Sequence, residues 1–228
     1  MVRIKICGIR RGSDALLAAK LGADAIGVLV GKAHPSSDFI HPEQAADILK
    51  ELPPFVSGVL VSHLPEARAL IHLIQRVRPQ AVQLHSEIPP EEVKQLRRAL
   101  PGLTVLKAVH IAGRNPLTAV APYSGLVDGV VADSLNPHTG QVGGTGLIHD
   151  WSVTAELVER SAIPVLLAGG LNDRNVAAAI HRVQPYGVDV NSGVKAADGF
   201  KDPLLVERFI QAVRGSVDRV PPPERSDD

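Results

Sequence analysis

The chain has 228 residues, is 45% hydrophobic and balances 24 Lys and Arg against 24 Asp and Glu, a formal charge of zero. Its length suits one domain, including an α/β barrel of roughly 200–250 residues, and its composition excludes a disordered or fibrous chain. Without a basic field it excludes nucleic acid and an anionic membrane surface as partners held by charge, and aromatics at 3% of the chain argue against base or sugar stacking.

Eight apolar runs rich in Val, Ile and Leu follow one another along the chain: RIKICG, DAIGVLVG, VSGVLVS, AVQLH, TVLKAVH, VDGVVADS, PVLLAGG and GVDVNSG. Non-alternating runs suit strands buried on both faces of a parallel sheet. The amphipathic stretches between them, such as SDALLAAKLG and PEQAADILKEL, read as helices. With ends at Cys7, Val30, Val61, Leu84, Val109, Asp133, Ala168 and Val190, the units are 22–35 residues apart. This spacing predicts a single-domain (β/α)8 TIM barrel over residues 1–215, with 216–228 as a frayed tail. Ser13-Asp14, Pro42-Glu43 and Asn172-Asp173 are predicted to open the first, second and seventh helices. A single cysteine, no apolar run of membrane length and no secretory h-region in MVRIKICGIR predict a cytoplasmic protein.

In such a barrel the site lies at the carboxyl ends of the strands. There the sequence places Cys7, Gln83, His85, His110, Asp133, Gly169-Gly170 and Asn191-Ser192-Gly193. Cys7 is either a base or nucleophile at the mouth or a buried core thiol. Asp133 is either an acid facing Cys7 or the cap of a turn. The two glycine segments suit a phosphate cradle, or tight turns alone, and Gly144 and Gly146 in GGTG suit a lid or a connector. The nine histidines show no HxH or HxxxH spacing, so no metal site is expected. His85 and His110 alone stand at strand ends, and His63, His72 and His181 read as solvated or capping residues on helices.

With KICGI at 5–9, GADAIG at 22–27, HPEQA at 41–45, QLH at 83–85, GGTG and DW within 143–151, AGGLN at 168–172 and GVDVNSGV at 187–194, the sequence resembles the phosphoribosylanthranilate isomerases of tryptophan biosynthesis in register along nearly its whole length. The resemblance implies a barrel that opens an N-linked 5-phosphoribosyl amine to a Schiff base and tautomerises it to a 1-amino-1-deoxyribulose 5-phosphate. It implies that Asp133 protonates the furanose oxygen and that Cys7, as thiolate, takes the proton from C2. It places the phosphate on backbone groups around Gly169, Gly170, Asp189, Asn191, Ser192 and Gly193. No cofactor or metal is implied, and both monomers and homodimers occur in the family.

The sequence departs from the family pattern after the second strand. Where the family carries an arginine for the anthranilate carboxylate, this chain has Asp38 in a loop two residues longer, and Lys195 stands where a Glu is usual. Arg10, Lys32 and His34 are the candidates to replace the arginine, in a substrate-contacting set with Asp38, Gln83, His85, Gly144 and Gly146. A carboxylate facing the substrate's carboxylate would repel it, so a paralogous isomerase or lyase on another phosphorylated aminosugar is an alternative. A non-catalytic barrel binding a phosphometabolite is a third, though it needs neither thiol nor acid.

Overall fold

In the computed structural model, which describes residues 1–31, 36–111, 116–134 and 149–217, eight parallel strands close a barrel in chain order. They are β1 (Arg3–Ile6), β2 (Ala25–Leu29), β3 (Ser57–Ser62), β4 (Ala81–Leu84), β5 (Thr104–Ile111), β6 (Gly129–Ser134), β7 (Val165–Leu167) and β8 (Gly187–Val190). The helices are α1 (Gly12–Leu21), α2 (Pro42–Lys50), α3 (Ala67–Val77), α4 (Pro90–Ala99), α5 (Pro116–Val120), α6 (Trp151–Arg160), α7 (Val176–Val183) and α8 (Pro203–Val217). The predicted barrel is thus the observed one. The last helix continues to Val217, and the rest of the expected tail, 218–228, lies outside the described residues. No helix among the described residues is long and apolar enough to cross a membrane.

Alternation along each strand sorts the side chains, because successive residues point to opposite faces. Ile4, Ile6, Ile26, Val28, Leu60, Val82 and Leu84 pack outward against the helices, with Ala15, Ile48 and Leu70 among their partners. Inside, Cys7, Val59, Val61 and Ala81 fill one side and Ala108, Val131, Leu166 and Ala168 the other. Pro42 begins α2 as expected, one residue after the extended His41. The other two helix starts are corrected. Arg11 holds the N-cap of α1, so Ser13-Asp14 lies inside the first turn. In the turn before α7, Asn172 Oδ1 accepts from the Arg174 amide (2.9 Å) and Asn175 Oδ1 from the Asn172 amide (2.8 Å), and this local bonding delays the helix to Val176.

The N-terminal rim is stitched at alternate strand pairs. Asp24, Gln80 and Asp128 each stand just before an even-numbered strand, and each donates its amide to the preceding strand: to the Ile4, Gly58 and Val105 carbonyls at 2.8, 3.0 and 2.8 Å. The side-chain oxygens accept back from the amides of the same three residues at 2.8, 2.7 and 2.7 Å. Each staple satisfies backbone groups that a strand beginning at a barrel rim leaves exposed.

Candidate active site

At the opposite rim, a cavity of about 240 Å³ opens between the strand ends, with Cys7, Gln83, His85, Asp133 and Asp189 in its wall. A larger groove of about 1110 Å³ lies between α2 and α3 beside the Pro53-Pro54-Phe55 turn. Its charged residues are exposed, with Glu43 paired to Arg76, and size alone does not make it the chemical site.

Two inward positions of β1 and its extension carry Lys5 and Cys7, and the adjacent inward position of β8 carries Asp189, in register with Lys5. Lys5 Nζ donates to Asp189 Oδ2 at 2.7 Å, while Asp189 Oδ1 is buried without a partner. A Cβ added at Gly27 of β2 would lie 2.8 Å from Cys7 Sγ and 3.2 Å from Lys5 Cε, so this glycine makes the room in which both side chains sit. Cys7 is 7% exposed. Burial outweighs the rest and holds its thiol above the ordinary range; Lys5 pulls it down, Asp189 opposes Lys5, and Lys201 adds a smaller pull downward.

Asp133 ends the barrel-facing row of β6 and is 7% exposed. Burial raises its carboxyl to about 7, with Asp189 adding to the rise and the Ser134 amide and Lys5 opposing it. The Ser134 amide donates to its Oδ1 at 2.7 Å. Asp133 is thus a carboxyl that carries its proton near neutral pH and faces the cavity that Cys7 also lines. Beside it, Gln83 Nε2 donates to His85 Nδ1 (3.2 Å), leaving the His85 proton on Nε2, 3.9 Å from Asp133 Oδ2. His85 is held well below its ordinary range by burial first and by His63 and His110 next.

His63 corrects its expected place on a helix: it follows β3, is buried, and stacks between Phe39 and His85 at centroid distances of 5.4 and 4.6 Å. His110 continues the row at 5.3 Å from His85, and its Nε2 meets the His85 carbonyl at 3.1 Å. Among the described residues no three His, Cys, Asp or Glu side chains group to hold a metal ion.

The two glycine segments face each other. Gly169 and Gly170 take left-handed φ of 83° and 65°, a region open to glycine at little cost, and a Cβ on Gly193 would stand 1.9 Å from the Leu171 carbonyl oxygen. The loops after β7 and β8 therefore approach as only glycine permits, with Ser192 also in the cavity wall. Of the residues whose backbone groups are expected around the phosphate, Asp189 and Asn191 have side chains with partners of their own. The Asp189 carboxylate is bound to Lys5. The Asn191 side chain is committed elsewhere, donating to Asp38 Oδ2 (2.9 Å) and accepting from Lys201 Nζ (3.0 Å).

Asp38 is not a free carboxylate. Lys195 Nζ donates to its Oδ1 at 2.5 Å, and although burial works against ionisation, the bonds from Lys195 and Asn191 outweigh it and hold Asp38 below the usual carboxylate range. The two sequence departures, 157 positions apart, are thus one ion pair. Arg10 donates to the carbonyl of Ser37, a residue of the cavity wall, at 3.1 Å and stacks 4.1 Å from the Phe200 ring centroid. Lys32, His34, Gly144 and Gly146 lie outside the described residues. Sequence reasoning missed Lys5, His63, Lys195 as a partner of Asp38, and Lys201, whose Nζ also reaches the Asn191 carbonyl at 2.8 Å.

Compared with known proteins, the chain matches over residues 4–212 the family described as N-(5'phosphoribosyl)anthranilate (PRA) isomerase. It is 41% identical over 219 residues to N-(5'-phosphoribosyl)anthranilate isomerase 2 of Methanosarcina mazei, covering 96% of this chain and 97% of that one. The solved phosphoribosyl anthranilate isomerase from Thermotoga maritima superposes with a TM-score of 0.81 at 36% identity, covering 94% of this chain and all (100%) of that one. A phosphoribosyl anthranilate isomerase in complex with reduced 1-(o-carboxyphenylamino)-1-deoxyribulose 5-phosphate superposes at 0.79 with 35% identity and the same coverage.

Proposed function

The chain belongs to the N-(5'-phosphoribosyl)anthranilate isomerase family, and on that premise we propose how its cavity works, with Asp133 as acid and Cys7 as base. The reaction is the Amadori rearrangement of N-(5'-phosphoribosyl)anthranilate to 1-(2-carboxyphenylamino)-1-deoxyribulose 5-phosphate, a step of tryptophan biosynthesis. Asp133 gives its proton to the furanose oxygen as the C1–O bond breaks and the nitrogen lone pair forms C=N. The Cys7 thiolate then takes the proton from C2, and the C–H electrons form the C1=C2 bond as the C=N pair returns to nitrogen. The resulting enol passes to the ketone by losing its hydroxyl proton and gaining one at C1, so nothing is oxidised from outside. The observation that carries this reading is the Asp133 carboxyl, which burial keeps protonated to about pH 7 in the cavity that Cys7 also lines.

The phosphate rests on backbone groups of Gly169, Gly170, Ser192 and Gly193, where the two glycine loops converge. The anthranilate carboxylate goes to Lys195, the one lysine or arginine among the described residues lining the cavity, whose ammonium has donors left after Asp38 takes one. Because Asp38 is neutralised there, the charge clash that favoured another aminosugar phosphate is removed. Every group named lies on one chain, so a monomer or a homodimer carries the same chemistry, and the lone thiol suits a reducing cytoplasm.

Complementation of a tryptophan auxotroph lacking this isomerase tests the reading. Growth is expected with the unaltered chain and not with Cys7→Ala or Asp133→Asn. A well-folded, well-expressed chain that supports no growth would overturn it.

A further inference from the structure

A lysine only 2% exposed inside a barrel otherwise packed with Val, Ala and Leu is an expensive choice. A buried ion pair gains little stability over apolar residues of the same volume, so the Lys5–Asp189 bridge calls for a reason other than packing. Its position gives one. Lys5 and Cys7 are two residues apart on β1 and its extension, so both point inward; Gly27 opens the gap that their side chains share, and the register sets Asp189 beside Lys5. The oxygen of Asp189 not bound to Lys5 has no partner, so the carboxylate is held on one side only, by the lysine.

We propose that Lys5 is the positioning residue that makes Cys7 a base: its ammonium, anchored by Asp189, is the counter-ion of the Cys7 thiolate. The role deepens the proposed isomerase mechanism and rests on Cys7 as its base. As the thiolate takes the substrate proton, its charge disappears and Lys5 is left with Asp189 alone, so the bridge offsets the buried ammonium at both stages. The charged groups facing Cys7 are Lys5 from β1, Asp189 from β8 and Lys201 from the segment before α8, with His63 after β3, His85 after β4, Asp133 of β6 and the Asp38–Lys195 pair in the same cavity wall; β2 offers only Gly27 and Leu29. The two partners of the bridge push the thiol in opposite directions, Lys5 toward ionisation and Asp189 against it.

Cys7 is the chain's one cysteine, so alkylation of the full-length protein by iodoacetamide, followed by mass, reports this thiol alone. Lys5→Met is expected to slow alkylation at pH 8 about tenfold and to move the midpoint of its pH profile upward, as loss of a facing cation requires. Asp189→Asn is expected to move the midpoint downward, and Lys5→Arg to stay close to the unaltered chain. The double variant Lys5→Met/Asp189→Asn strands no buried charge, so it carries the test should Lys5→Met fail to fold; its midpoint should lie above that of Asp189→Asn. A midpoint for Lys5→Met, or for the double variant against Asp189→Asn, that does not rise would overturn the proposal, as would an upward shift in Asp189→Asn. The readout does not depend on turnover, so an inactive but folded chain would refute Cys7 as the isomerase base while leaving the Lys5 question decided by the thiol.

Discussion

The N-terminal rim and the inner wall of the cavity treat their carboxylates in opposite ways, while Asp38 at the outer mouth is satisfied by Lys195 and Asn191. At the N-terminal rim Asp24 accepts from Arg3 (2.7 Å), Arg214 (3.1 Å) and the Ile4 amide (2.8 Å), and Asp128 from Arg97 (2.6 Å) and the Val105 amide (2.7 Å). Hydrogen bonds from Arg3, Ile4 and Arg214 overcome the cost of partial burial and hold Asp24 below its ordinary range. At the C-terminal rim Asp133 has its neighbour's amide and a histidine at 3.9 Å, and Asp189 keeps one oxygen bare. The same side chain that fastens a strand when its oxygens are satisfied becomes an acid, or the anchor of a cation, when they are not. Stability and chemistry are thus divided between the two ends of one set of strands.

The sharpest way to test this division is at the mouth. Cys7→Ala and Asp133→Asn should each lower kcat by about 10²–10⁴-fold, the usual worth of a general acid or base, measured by the fluorescence change on isomerisation. Asp133→Asn should also stabilise the fold. The native carboxyl keeps its proton up to about 7, whereas its ordinary value is 3.8. Between those values the unfolded chain releases a proton that the native chain retains, so the native state weakens as pH rises and stays weakened above 7. Thermal melts should therefore show Asp133→Asn above the unaltered chain at pH 8, with the gap closing toward pH 4.

The other rim should respond in reverse. Asp24→Ala or Asp128→Ala should cost about 2 kcal/mol of stability by leaving a backbone amide and an arginine unpaired, read by urea unfolding, while kcat stays unchanged. A fall in kcat without unfolding would break the division. Between these extremes, Lys195→Gln should raise KM about tenfold with kcat nearly constant, as loss of one charge-assisted contact to bound substrate does. The smallest effect is expected at Phe55, which is fully exposed at φ 70°. Phe55→Gly should relieve backbone strain and raise stability by about 1 kcal/mol; a drop in melting temperature would mean that the ring is covered in solution.

The strands, their order and the placing of Cys7 and Asp133 at one cavity are legible because they depend on local pattern: apolar runs of strand length and polar residues at their ends. Lys5 was legible in principle and overlooked. A lysine between Ile4 and Ile6, in a strand buried on both faces, needs an internal counter-ion, and period two puts it on the face of Cys7. His63 is misplaced on a helix because α3 begins only at Ala67, which leaves His63 directly after the end of β3 at the cavity. The Lys195–Asp38 pair was beyond reach, since it joins two loops whose meeting depends on how the barrel closes. Tight turns at Gly169 and Gly170 are legible from the glycines themselves, whereas the approach of Gly193 to the Leu171 carbonyl joins two loops and leaves no local signal.

The rim staples also bear on where the chain tolerates a break. Asp24, Gln80 and Asp128 tie β1 to β2, β3 to β4 and β5 to β6, and no side-chain staple of this kind joins β2 to β3 or β4 to β5 among the described residues. New termini placed between α2 and β3, or at the exposed Pro101-Gly102 turn before β5, would leave all three ties intact within their own fragments. The first six strands are in that respect three pairs, and circular permutants cut between those pairs should assemble more readily than those cut within one.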